Sequence, residues 1–174
     1  MIEGRYLEER RALLRLAGVE GREVLDIGAG TLTLIAASEY DCFVTSIDID
    51  TGRLKETERL AGEEGVAEKI SFEEADAAAL PYEDESFDIG ICFGALHHME
   101  PAIRGAVLSE LARVSYEKFV VAEFNETGFA ELHGDDDLEP VDLAWLEEEL
   151  AALGRPVVHP LEKVTVFVVE KTAA

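Results

Sequence analysis

The chain has 174 residues, and its 38 acidic side chains against 15 basic ones leave a formal charge of −23 at pH 7. A hydrophobic fraction of 48% belongs to a globular core rather than a disordered acidic tail, and the length suits a single domain over 1–174. So negative a surface opposes a phosphate backbone or an anionic membrane, which demotes nucleic acid and lipid as partners.

In chain order, a short N-terminal helix is expected within 3–18, with a charged stretch at 8–16 that turns Leu13, Leu14 and Leu16 to one side. A first strand at 22–27 ends on Gly28-Ala-Gly30, and a helix opens at Thr31 and runs to Ser38. A second strand follows at 43–48, then a helix from Thr51, a natural capping residue, to Gly62. The third strand is expected at 69–73. The fourth, at 87–93, is apolar on both faces as a central strand should be.

Pro101 suits a helix start, and Ile103, Val107, Leu111 and Val114 continue with helical spacing. A fifth strand at 118–123 leads into a polar loop through Asp135-Asp-Asp137. Leu143, Leu146, Leu150 and Leu153 mark a last helix, which Gly154 would cap. Strands at 156–159 and 164–169 are too close for a crossover helix, so they should form an antiparallel hairpin. The expected fold is α/β: a Rossmann-like, mostly parallel mixed sheet with helices on both faces, ending in that hairpin.

The two cysteines, Cys42 and Cys92, form no CxxC and sit in apolar runs. They read as buried thiols in a reducing, cytoplasmic compartment. No stretch approaches the ~20 apolar residues of a membrane span, and the opening residues lack the apolar core of a signal peptide.

In open α/β sheets, ligands sit at the carboxyl ends of the strands near the reversal of strand order. There this sequence places Asp26, Gly28 and Gly30 after the first strand and Asp48 after the second. Asp76 and Ala77 follow the third strand, and Phe93-Gly-Ala-Leu-His-His98 the fourth. The glycines admit a ligand to the backbone and to helix N–H groups. Asp48 suits the two hydroxyls of a ribose, and Asp76 an adenine amino group. A dinucleotide site competes for Asp48, but its fingerprint needs a third glycine where this chain has Thr33. Asp26 just before the glycines favours a cationic ligand over a pyrophosphate.

Val24-Leu-Asp-Ile-Gly-Ala-Gly30, Ser46-Ile-Asp-Ile-Asp50, Glu74-Ala-Asp-Ala77 and Leu80-Pro-Tyr-Glu-Asp-Glu-Ser-Phe-Asp88 through His98 together resemble the class I S-adenosylmethionine-dependent methyltransferases. The likeness is to small-molecule members similar to those of quinone biosynthesis. It implies S-adenosyl-L-methionine as cofactor and S-adenosyl-L-homocysteine as product. By resemblance, Asp26, Gly28 and Gly30 hold the methionine part and Asp48 the ribose. Ile49 packs on adenine, Asp76 and Ala77 read its edge, and Phe93 lines the methionine channel. The family often has a third glycine where this chain has Leu32.

The implied reaction is in-line methyl transfer, which calls for orientation and a shaped pocket but no metal. His97 and His98 are the candidate bases, facing the methyl group in family terms; the alternative is that one of them caps or packs on the next helix. Glu123, a third catalytic candidate, and Asn125 would flank the cleft at the end of the fifth strand, or stand there merely solvated. His133-Gly-Asp-Asp-Asp137 lacks a calcium-loop pattern and reads as a solvated acidic loop. Tyr6 either closes over the pocket or packs beneath it.

A small-molecule acceptor is the leading expectation. A cofactor-binding or scaffolding module without turnover is the alternative. Methylation of tRNA with a basic partner is a further one, because some wobble-base methylases carry an Ile/Leu-His-His motif; a dehydrogenase comes last. So little chain covers the pocket that a homodimer would be one way to complete it.

Overall fold

The computed structural model describes residues 2–171. Among them the strands are β1 (Glu23–Ile27), β2 (Phe43–Asp48), β3 (Ile70–Glu74), β4 (Phe87–Phe93), β5 (Ser115–Phe124), β6 (Arg155–Pro160) and β7 (Val164–Glu170). The helices are α1 (Leu7–Ala17), α2 (Thr31–Glu39), α3 (Thr51–Glu63), α4 (Pro101–Val114), α5 (Glu126–His133) and α6 (Leu143–Leu153). The strands form one sheet in the order β3-β2-β1-β4-β5-β7-β6. The first five run parallel, while β7 lies antiparallel between β5 and β6. The expected mixed sheet and terminal hairpin are both present.

Apolar residues alternate between two cores, as the pleat of a strand requires. Val24, Ile89, Ile91 and Val120 face Leu13 and Leu14 of α1 and Leu34 and Ile35 of α2. Leu25, Cys92, Phe119 and Val121 face Val107, Leu108 and Leu111 of α4 and Leu146 and Leu150 of α6. Each fully buried leucine among them contributes about 1.5–3 kcal/mol over exposure. The reversal of strand order falls between β1 and β4, and the carboxyl ends of those two strands therefore splay apart around a cleft.

Several local expectations need correction. The N-terminal helix starts at Leu7 rather than at residue 3, because Tyr6 lies in the left-handed region at φ 57° and ends the helical run. The cap of α3 is Asp50, not Thr51: its carboxylate accepts from the backbone N–H groups of Gly52 and Arg53. Residues 126–133, expected within a polar loop, form α5, whose buried anchor is Phe129. Gly154 does follow α6, and its N–H donates to the Leu150 carbonyl at 3.1 Å, but its backbone is extended rather than left-handed. What requires a glycine there is proximity: a Cβ would lie 2.7 Å from Val169 and 2.9 Å from the Glu170 carbonyl. Both cysteines are buried and free, as expected. Among the described residues, no helix is long and apolar enough to cross a membrane.

Candidate active site

The cleft at the switch point encloses about 540 Å³, a volume ordinary for a small-molecule site. Its floor begins where β1 stops. Gly28 has φ 99°, a conformation costly for other residues, and its N–H donates to the Ile47 carbonyl at 2.8 Å. This turn aims the chain into α2, whose N-cap Gly30 and first residue Thr31 line the cleft. The helix presents its unpaired N–H groups and positive end there.

Asp26 lies beneath the turn, 2% exposed. Thr33 donates its hydroxyl to Asp26 Oδ2 at 2.7 Å and also contacts the Ser46 hydroxyl at 2.9 Å. Burial nevertheless raises the Asp26 carboxyl to about 7, with the nearby Asp48 charge adding to the effect and the Thr33 hydrogen bond and Arg10 opposing it. Thr33, the residue that broke the dinucleotide fingerprint, is thus the one that holds the acid beneath the turn.

Asp48 closes β2. Its Oδ2 accepts from the Ala29 N–H at 3.1 Å and from Arg53 at 3.3 Å, while Oδ1 accepts from the Asp50 N–H at 2.9 Å. These bonds fix the carboxylate at the wall of the cleft. Ile49, next along, is 73% exposed, an apolar side chain left open on the cleft edge. Asp76 also lines the cleft; its Oδ1 accepts from the Ala78 N–H at 2.9 Å, and Ala77 lies between. Phe93 stands at the end of β4 with its ring 6.0 Å from that of Phe124.

Arg10 of α1 supplies a feature that the sequence reading missed. Its guanidinium lies 4.6 Å over the Phe93 ring and lines the cleft, and its Nε is buried without a hydrogen-bond partner among the described residues. Burial lowers its pKa, against which Asp26 pulls. Of the two readings of Tyr6, packing is the one observed: it lies edge-on to Phe124 at 5.0 Å and does not line the cleft.

After β4 the chain makes a single 3-10 turn at Leu96–His98. His98 lines the cleft and is exposed. Burial of part of its ring, then the neighbouring His97, His133 and Arg53, lowers its pKa. His97 is 3% exposed and does not line the cleft. Glu123, expected to flank the cleft or to be solvated, does neither: it is 1% exposed at the end of β5. Its Oε1 accepts from the backbone N–H groups of Leu96 and His97, and its Oε2 faces His97 Nδ1 at 3.0 Å. The reason is the pleat, which turns Glu123 inward under the turn that carries the histidines. Asn125 caps α5, accepting from the Gly128 N–H. His133, at the end of that helix, reaches the same cluster, 3.0 Å from His97 Nε2.

A family model described as a methyltransferase domain matches residues 24–117. The chain is 37% identical over 120 residues to the 27-O-demethylrifamycin SV methyltransferase of Amycolatopsis mediterranei, covering 64% of this chain and 43% of that protein. It is 39% identical over 126 residues to the demethylmenaquinone methyltransferase of Beutenbergia cavernae, covering 70% and 49%. The match thus spans less than half the length of either relative. In fold it is similar to the magnesium protoporphyrin IX methyltransferase of Synechocystis PCC 6803, solved with S-adenosylmethionine: TM-score 0.72 and 18% identity, over 95% of this chain and 77% of that one.

Proposed function

The chain belongs to the family of methyltransferase domains, and we propose that it binds S-adenosylmethionine in the cleft and transfers its methyl group to a small molecule, with S-adenosylhomocysteine as product. The observation that carries this reading is the convergence of Asp26, Asp48, Asp76 and Arg10 on one cleft at the strand-order reversal. Each group suits a different part of that cofactor. Asp26 would draw the cationic methionine end, and Arg10, with its unpartnered Nε, the carboxylate. Gly28 and Gly30 let the ligand approach the backbone. Asp48 is set to accept from the ribose hydroxyls, the exposed Ile49 to cover one face of the adenine, and Asp76 with Ala77 to meet its edge. Phe93 would line the channel leading to the methyl group.

The cofactor supplies a methyl carbon activated by a sulfonium. The protein's own part is orientation. The β1 turn and α2 N-terminus would hold the methionine end and Asp48 the ribose, which would leave displacement in line with an acceptor entering past His98. His98 is the residue of the histidine pair that can touch an acceptor and take its proton. His97 and Glu123, buried behind it, would act as positioning residues by holding the turn on which His98 rides. A formal net charge of −23 favours a neutral or cationic small molecule over RNA.

Calorimetry with S-adenosylmethionine and S-adenosylhomocysteine tests the reading. Saturable binding that Asp48→Ala weakens tenfold or more supports it; no binding by the unaltered chain overturns it. Binding without transfer to any small-molecule acceptor would make the domain a cofactor-binding module.

A further inference from the structure

His97, His98 and His133 come from two separate segments, yet their ligating nitrogens all lie within 4.8 Å of one another. The hydrogen bonds around them decide which nitrogens are available. His97 Nδ1 faces Glu123 Oε2 at 3.0 Å, and His133 Nδ1 faces Asp136 Oδ2 at 2.6 Å. A carboxylate accepts and does not donate, so each Nδ1 carries its ring's proton. Both Nε2 atoms then present lone pairs, and these two atoms sit 3.0 Å apart. Two lone pairs facing at that distance repel unless something positive lies between them.

We propose that His97, His98 and His133 bind a divalent transition-metal ion of the zinc class at the edge of the cleft. Three neutral imidazoles are a donor set that suits zinc, copper, nickel or cobalt rather than calcium or magnesium. Metal–nitrogen bonds of about 2.0–2.1 Å in a tetrahedral site put ligand nitrogens roughly 3.3 Å apart, a few tenths of an ångström beyond the observed His97–His133 separation. His98 is the exposed member, free to swing the remaining distance. Glu123 and Asp136, each holding the far nitrogen of a ligating ring, are the outer carboxylates that orient metal-bound histidines. His98 also lines the cleft, so the fourth position opens toward an acceptor. On the methyl-transfer reading, the ion would bind the acceptor's oxygen or nitrogen and ease its deprotonation, and His98, its lone pair given to the ion, would serve as ligand in place of base.

The competing account of the short contact is one proton shared between the two rings. The chelator-treated chain of residues 1–174, titrated with zinc against a chromophoric chelator and separately with cobalt, separates the two. The proposal expects one ion per chain and visible cobalt absorption of a four-coordinate site, both independent of added S-adenosylmethionine. His133→Gln and His98→Gln should each weaken binding at least tenfold, and Asp136→Asn by roughly 10–100-fold with the ligand set intact. Circular dichroism confirms that each variant is folded, and the exposed His98 provides a test that does not disturb the core. No saturable binding by the unaltered chain overturns the proposal, as does unchanged affinity in both histidine variants.

Discussion

Thr33 Oγ1 donates to Asp26 Oδ2 across 2.7 Å, joining the first turn of α2 to the end of β1 beneath the glycines of the intervening turn. The bond is buried, and the acid it serves ionises only near 7. A cationic ligand above Asp26 would demand the ionised form, so binding and deprotonation are linked.

Affinity for S-adenosylmethionine should therefore rise as pH increases from about 5.5 to 8, levelling off above the Asp26 value of about 7. Calorimetry across that range, in buffers of different ionisation enthalpy, should show a proton released on binding below the midpoint. Asp26→Asn should bind weakly with a flat profile. Thr33→Val should move the midpoint upward, because the lost hydrogen bond favoured the charged acid.

Stability should respond to the same group in the opposite sense. The folded value lies above the roughly 3.9 of an unfolded aspartate. Its contribution is therefore complete below about pH 4 and is lost as pH rises through about 7. The thermal midpoint of Asp26→Asn relative to the unaltered chain should accordingly climb between pH 4 and 8.

Asp48→Ala should cost more than ligand affinity. Its carboxylate satisfies the Ala29 and Asp50 N–H groups, and a buried donor left unmade costs about 1–3 kcal/mol. Urea denaturation should show a loss in that range, while Asp48→Asn should recover part of the stability without recovering full binding.

Glu123→Gln should destabilise by about 1–3 kcal/mol, since an amide offers one acceptor oxygen where the carboxylate serves two backbone N–H groups and an imidazole. Glu123→Ala should cost more. Proton NMR should show the low-field imidazole resonance of His97 shifted or lost in both.

Gly154→Ala should destabilise by about 1–3 kcal/mol through crowding, because one atom it would strike is the backbone oxygen of Glu170, which cannot swing aside. Cofactor affinity at the other end of the sheet should be unchanged, which calorimetry and urea denaturation on one preparation would establish.

The strands and the acids that line the cleft were legible because both rest on local signals. β-branched runs mark the strands, and turn glycines flanked by carboxylates mark their ends. Arg10 was hidden because it lies on the charged side of α1 and acquires its role only when that helix folds back over Phe93. Helix α5 was hidden because eight residues hold few helical turns and one apolar anchor, Phe129, fixes it by tertiary contact. His133 consequently looks like part of an acidic loop in the sequence, where spacing carries no sign that residue 133 meets residue 97. Glu123 was misplaced because which strand-end side chain turns inward depends on register with β7, where it pairs with Thr165.

The position of β7 between β5 and β6 also governs how the chain can assemble. Until residues 164–170 have been synthesised, β6 has no neighbour in the sheet. The apolar edge of β5 from Phe119 to Phe124 meanwhile stays unpaired. On the ribosome, the parallel half would thus wait with an open, sticky margin for β7. The step that seals this margin is therefore a late one, and a translational stall just before it would leave the nascent domain most prone to self-association.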